Sequence, residues 1–130
     1  MEALIVDDDT DIPDVARLSL ELVSGWTVFD AHCGLDAIEL AMRRQPDVIL
    51  LDVTMPGMDG VETLRRLSED AGTRNIPVIF LTAVAQTRYR ERLEAAGARG
   101  LIAKPFDPLT LADEIEMILA VPSSTGCYGC

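Results

Sequence analysis

Short apolar runs alternate along this chain with stretches whose apolar residues recur at helical spacing. The runs are rich in branched aliphatic residues and predict five strands, at residues 3–6, 27–31, 48–51, 78–81 and 101–103. Helical spacing predicts a helix after each strand. For four of these helices the apolar positions are Val15, Leu18 and Leu22; Leu35, Ile38 and Met42; Val61, Leu64 and Leu67; and Leu111, Ile115 and Ile118. The remaining helix is predicted over a mainly polar stretch at 86–95.

Strict alternation of strands and helices indicates an α/β fold with a parallel sheet covered on both faces. The run "VILLD" at 48–52 is the most apolar and is expected at the centre of the sheet. At 130 residues the chain is expected to form a single domain over 1–120. The last ten residues, 121–130, are rich in Ser, Gly and Pro and predict a flexible tail.

Composition narrows the possible partners. The net charge of -11 argues against a nucleic-acid partner, because phosphate backbones attract Lys and Arg. No apolar run is long enough to span a bilayer, so we expect no membrane partner and a cytoplasmic location. The three cysteines, an odd number, fit a reducing compartment. Cys33 is expected to act as a small apolar residue, and Cys127 and Cys130 form a lone CxxC for which we expect no redox or zinc role.

Chemically reactive side chains follow several of the predicted strands. Asp7 and Asp8 come after the first strand, Asp52 ends the third, Thr82 ends the fourth and Lys104 follows the fifth. In an open parallel sheet the carboxyl ends of the strands form the ligand site. Acids, a hydroxyl and an amine at one edge are the groups needed for phosphoryl transfer to a carboxylate.

Like charges at 7–9 repel one another unless a cation neutralises them. Mg²⁺ binds one or two carboxylates together with waters and phosphate oxygens, so the acidic run "DDDTD" predicts a magnesium site. The alternative is a solvated loop that caps a helix, a role we expect for Asp9 and Asp11. Lys104 is the only lysine among 11 basic residues, and its compact charge on a flexible stem suits a small site better than arginine would.

These residues resemble the receiver domain of two-component response regulators. The resemblance covers residues 3 to about 120 and rests on "VDD", "LLDVTMPGMDG", "LTA" and "AKPF" in this order. It implies a doubly wound, flavodoxin-like (βα)5 fold with strand order 2-1-3-4-5.

The resemblance also implies a role for each acid. Asp52 would be the phosphoacceptor that attacks a phosphohistidine. Asp8 would bind Mg²⁺ directly and Asp7 mainly through water, with Asp52 and the backbone carbonyl of Thr54 as the remaining protein ligands.

Residues after the last two strands would contact the phosphoryl group. By resemblance, Lys104 would pair with one phosphoryl oxygen and the Thr82 hydroxyl would bond another. Ala83 is small and would leave the acceptor accessible. The Lys104–Pro105 peptide bond would be cis.

One position departs from the family pattern. Many receivers have Tyr or Phe three residues before the lysine, whereas this chain has Leu101, so an aromatic switch is not expected to operate in the usual way. The family's common output face would carry a basic cluster here, or else a solvated helix in which Glu91 and Glu94 neutralise the arginines. The cluster comprises Arg88, Tyr89, Arg90, Arg92 and Arg99.

The expected function is that of a stand-alone receiver, a monomer or weak dimer. Its partners would be a histidine kinase or histidine phosphotransfer protein and an unknown downstream protein. A phosphorelay shuttle or sink is an alternative that sequence does not separate. A phosphatase of the haloacid dehalogenase type is disfavoured, because its acid/base Asp two residues after the nucleophile is Thr54 here. The chain would therefore catalyse only its own phosphorylation and dephosphorylation.

Overall fold

Five parallel strands form one sheet in the order β2-β1-β3-β4-β5. The structure is a computed structural model that describes residues 1–7, 16–52, 60–83, 95, 97–104 and 107–120. The strands are β1 (Glu2–Val6), β2 (Thr27–Ala31), β3 (Val48–Asp52), β4 (Val78–Ala83) and β5 (Gly100–Lys104). All five predicted strands and the predicted α/β fold class are confirmed, and the central "VILLD" strand is buried along its whole length.

Helices flank the sheet within the described residues. A π-helical segment, π1 (Ser19–Val23), lies between β1 and β2 and continues a helix that is already formed at 16–18. The α-helices are α1 (Gly34–Arg44), α2 (Gly60–Glu69) and α3 (Leu111–Ala120). The predicted helix at 86–95 and the predicted tail at 121–130 fall outside the described residues, apart from Ala95.

The two faces of the sheet carry separate hydrophobic clusters. Alternate strand residues such as Ile5 and Leu50 face one cluster, which also contains Leu20 from π1 and Ile115 from α3. The intervening strand residues face the other cluster, where they meet α1 and α2. Because a parallel sheet is buried on both faces, its strands are apolar without alternation.

The buried faces of two helices differ from the sequence prediction. Leu18 and Leu22 are exposed, and Ala16 and Leu20 are buried instead. In α1, Leu35 and Met42 are likewise exposed, whereas the third predicted residue, Ile38, is partly buried against the cluster on this side of the sheet. The residues of α1 that are buried are Gly34, Ala37 and Ala41. The strands fill the space between the sheet and α1 with large side chains. Small residues on the buried face of α1 therefore allow the helix to pack closely against the sheet. The predicted apolar faces of α2 and α3 are confirmed at Leu64, Leu67, Leu111 and Ile115.

The prediction for Cys33 is also wrong. Its side chain is exposed and it occupies the N-cap of α1, with an extended backbone. An N-cap residue precedes the first helical turn, and the residues that α1 buries are Gly34, Ala37 and Ala41.

Candidate functional site at the carboxyl edge of the sheet

Two acidic residues lie at neighbouring strand ends. β1 and β3 pair in parallel with Val6 opposite Leu51, so Asp7 and Asp52 occupy the next register position. The N–H of Asp7 donates to the carbonyl of Ala31 at 3.1 Å and continues the ladder between β1 and β2. Adjacent strands are spaced about 4.8 Å apart, so the backbones bring both acids to one point.

Both carboxylates are buried, and they extend the same row of side chains. Asp7 is 0% exposed and Asp52 is 8% exposed. Asp7 follows Ile5 by two residues and Asp52 follows Leu50 by two, and those two residues belong to the same face of the sheet. Side chains alternate between faces along a strand, which brings the two acids to the same face. The structure thus brings these two of the predicted site residues to the same edge of the sheet.

The backbones of β4 and β5 end at the same edge. Asp52 is opposite Leu81 in the β3–β4 register, and Thr82 is the next residue of β4. Between β4 and β5, Thr82 pairs with Ala103 and Ala83 pairs with Lys104. The strand ends that carry the predicted phosphoryl contacts therefore lie next to the acid pair.

His32 is a neighbour of the site to which the sequence analysis gave no role. It follows β2 directly, and its Nδ1 lies 3.3 Å from the backbone carbonyl oxygen of Asp7. In an open parallel sheet the residues that follow the strands form the ligand site. His32 follows β2, which is adjacent to β1, so the same reasoning would have identified it from the sequence.

An ion pair attaches the first helical segment to β2 near this edge. Arg17 donates to Asp30 and, at 3.2 Å, to Glu21. The negative charge of Asp30 raises the pKa of Arg17 above its ordinary value.

Asp7 and Asp52 supply part of a binding site for a hard divalent cation. Mg²⁺ prefers oxygen ligands and takes one or two carboxylates directly, and the buried pair supplies carboxylate oxygens at one point. Within the described ranges no group of three or more acidic, His or Cys side chains is present that could hold a metal. The other predicted ligands, Asp8 and Thr54, lie outside those ranges.

Leu101, the position that lacks the usual aromatic residue, and Arg99, a member of the predicted basic cluster, are both described. Leu101 is half-buried and packs against the cluster on the α1 and α2 side of the sheet. Arg99 donates from its guanidinium to the carbonyl of Leu119 at 3.1 Å, in the last turn of α3. A cation at a helix C-terminus is favourable, so Arg99 has a role within the fold.

Other predictions fall on residues that are not described. Arg88, Tyr89, Arg90 and Arg92 of the basic cluster lie outside the described ranges, and so does Pro105 with its predicted cis bond. For Thr82, Ala83 and Lys104 the backbone alone is described.

A five-stranded doubly wound sheet with buried acids at its carboxyl edge defines a class of α/β domain that binds ligands at the strand ends. The family model for the response regulator receiver domain matches residues 3–116. The chain belongs to this family, which functions in two-component and phosphorelay signalling.

Curated relatives include proteins of two lengths. The chain is 38% identical to protein PilH of Pseudomonas aeruginosa over 90% of the chain and 96% of PilH. It is 36% identical to sporulation initiation phosphotransferase F of Bacillus subtilis, over 93% of the chain and 95% of that protein. It is also 36% identical to the transcriptional regulator RpaA of Synechocystis, over 89% of the chain, but spans only 48% of RpaA.

Solved structures support the same fold. The chemotaxis response regulator CheY4 of Vibrio cholerae superposes with a TM-score of 0.82 at 30% identity, covering 90% of this chain and 97% of CheY4. A response regulator from Chloroflexus aurantiacus gives a TM-score of 0.84 at 32% identity, over 92% of this chain and 98% of the other. The strand order 2-1-3-4-5 expected from the resemblance is confirmed.

None of the helices in the described ranges is both long enough and apolar enough to cross a bilayer.

Proposed function

We propose that this receiver accepts a phosphoryl group on Asp52 from a phosphohistidine, with Mg²⁺ held by Asp7, Asp8, Asp52 and the backbone carbonyl of Thr54. The observation that carries the proposal is the burial of Asp7 and Asp52 together at the carboxyl edge of a receiver fold. Burial in a medium of low dielectric constant strengthens the attraction between these carboxylates and a cation.

The transfer is a substitution at phosphorus. A carboxylate oxygen of Asp52 attacks in line, a P–O bond forms and the P–N bond to the donor imidazole breaks. The imidazole nitrogen keeps the electron pair and takes up a proton. Mg²⁺, when bound, supplies positive charge to the phosphoryl oxygens.

Residues at the ends of β4 and β5 would hold the transferred group. The Lys104 ammonium pairs with one phosphoryl oxygen, and the Thr82 hydroxyl donates to another. The small side chain of Ala83 leaves room for the donor. Support comes from the register, which brings the backbones of all three residues to the edge that carries Asp52.

The chemistry of this chain is confined to its own Asp52, so its output is the recognition of the phosphorylated form by another protein. A histidine kinase or a histidine phosphotransfer protein supplies the phosphoryl group. The similarity to PilH and to the chemotaxis response regulator CheY4 supports a role in signalling.

A relay is the second candidate. The relative from Bacillus subtilis, matched over 95% of its length, is named a phosphotransferase. In a relay, phosphorylated Asp52 passes its phosphoryl group to a histidine of a phosphotransfer protein. Incubation of the phosphorylated chain with such a protein separates the two functions, since only a relay transfers the label stoichiometrically.

The proposal is tested by labelling with acetyl phosphate or phosphoramidate. We expect one phosphorylated residue, Asp52, and labelling that depends on Mg²⁺. Asp52→Asn should abolish the label, whereas the exposed residue Asp36, changed to Asn, is the matched control and should retain it. Label on Asp52→Asn protein, or peptide mapping to another residue, would overturn the assignment.

Lys104→Arg tests the phosphoryl contact. The charge is kept, but a planar guanidinium does not replace the point contact of an ammonium group. We expect normal Mg²⁺ binding and an impaired response to phosphorylation, measured as partner binding in pull-downs with and without phosphate. A normal response would show that Lys104 is only a surface charge.

A further inference from the structure

A buried serine connects the first helix to the turn that follows β5. The Ser19 side chain is 5% exposed, and its hydroxyl donates a hydrogen bond to the backbone carbonyl of Pro108. Ser19 is also the first residue of π1. π-Helical turns are rare and are frequent at functional sites. A buried hydroxyl needs a hydrogen-bond partner, and this one is 89 residues away along the chain.

The turn that contains Pro108 is closed from the other side by Asp107. The N–H of Leu109 donates to Oδ1 of Asp107 at 2.9 Å, and the N–H of Thr110 donates to the Asp107 carbonyl at 3.1 Å. These bonds lead directly into α3 at Leu111. The turn therefore has a defined backbone at the point where Ser19 contacts it.

Lys104 lies four residues before Pro108, at the end of β5. Its backbone is paired in register with Ala83 of β4. The backbone of Lys104 is thus held by the β4–β5 ladder, and Pro108, four residues later in the sequence, is held by Ser19. A lysine side chain has four rotatable bonds, so the position of its ammonium group depends on a fixed backbone.

We propose that Ser19 is a positioning residue for the phosphoryl contact made by Lys104, an inference that rests on the proposed function. The Ser19–Pro108 hydrogen bond fixes the turn that follows Lys104 in the sequence against π1. With the backbone fixed in this way, less conformational entropy is lost when the ammonium group pairs with the phosphoryl group on Asp52.

The test compares Ser19→Ala with Ser24→Ala, the same change at an exposed serine next to π1. Mg²⁺ affinity, measured by calorimetry, does not require Lys104 and should be unchanged in both variants. The phosphorylation rate with saturating phosphoramidate should fall in Ser19→Ala alone. The expected decrease is roughly 2- to 10-fold, which corresponds to the loss of one intramolecular hydrogen bond.

A double-mutant cycle with Lys104→Ala separates positioning from general damage to the fold. If Ser19 acts through Lys104, Ser19→Ala should produce little further decrease in the Lys104→Ala background. Multiplicative decreases would overturn the inference and leave the proposed function intact. A Lys104→Ala variant that is phosphorylated at the normal rate would instead contradict the proposed role of Lys104, and the inference with it.

The fold of each variant is checked by circular dichroism. Should Ser19→Ala fail to fold, Ser19→Cys keeps the size of the side chain and replaces the hydroxyl with a weaker donor. The same cycle then applies, and an unchanged phosphorylation rate in a folded Ser19→Cys or Ser19→Ala protein would overturn the inference.

Discussion

Asp7 and Asp52 occupy adjacent register positions at the carboxyl edge of the sheet, one residue beyond the paired Val6 and Leu51. Both side chains are buried, so water screens their charges less than it would at the surface. Two like charges held close together in this way repel each other, and a divalent cation bound at this edge would offset the repulsion.

Removal of one of these charges should stabilise the protein in the absence of metal. We expect Asp7→Asn to melt above wild type in EDTA, with a gain of about 0.5 to 2 kcal/mol in the free energy of unfolding. Added Mg²⁺ should stabilise wild type, because the ion binds the folded state preferentially, and should stabilise Asp7→Asn much less.

Glu116→Gln is the control for this experiment, since Glu116 is an exposed acid on α3. It should respond to Mg²⁺ as wild type does. An Asp7→Asn protein that is less stable in EDTA, yet as strongly stabilised by Mg²⁺ as wild type, would contradict a metal site at Asp7.

Leu101 should contribute to packing more than to switching. Its half-buried side chain packs against the cluster on the α1 and α2 side, so Leu101→Ala should lower the free energy of unfolding by about 2 kcal/mol, at the low end for such truncations. Phosphorylation-dependent amide shifts after Thr82 should persist in the folded variant. Leu109→Ala, at a residue 72% exposed, is the control and should change stability little. Loss of the shifts would show that residue 101 transmits the signal.

Arg99 should stabilise α3 through its contact with the Leu119 carbonyl. Arg99→Ala removes a charged donor at a helix C-terminus and should cost about 1 kcal/mol in urea denaturation. Arg99→Lys should recover part of this. Arg43→Ala, which removes an exposed pair with Glu39, should stay within about 0.5 kcal/mol of wild type. If Arg99→Ala were as stable as Arg43→Ala, the helix-capping role would be wrong.

Gln45 should stabilise the end of α1 because its side-chain hydrogen bonds outweigh the cost of its left-handed backbone conformation. Its φ is +49°, and its side-chain amide donates to the carbonyls of Ala41, Met42 and Gly72 at 3.1, 3.1 and 2.8 Å. Gln45→Ala loses these bonds and keeps the Cβ atom in a left-handed conformation. Gln45→Gly loses the same bonds without that strain, so it should be more stable than Gln45→Ala by about 1 kcal/mol. Thermal unfolding that gave the opposite order would contradict the left-handed conformation at this position.

The strands and the helices were predictable to different degrees. Strands in a sheet covered on both faces are apolar throughout. A run such as 48–52 can therefore be recognised as a strand from the sequence, whichever helices pack on it. Helix faces depend on the partner surface. In α1, helical spacing predicted that Leu35, Ile38 and Met42 form the buried stripe. The fully buried residues are instead the small ones, among them Ala37 and Ala41. The sheet side chains, which the local pattern does not reveal, select the small residues.

The sequence by itself determined which residue types follow each strand, and the parallel fold then required Asp7 and Asp52 to meet at one edge. Register and burial were decided by tertiary structure, because they depend on how neighbouring strands pair and on what covers their ends. The hydrogen bond from Ser19 to Pro108 was likewise decided by tertiary structure. A serine within an apolar helical pattern carries no sign of its partner, and only the packing of the first helix against the turn before α3 brings the two together.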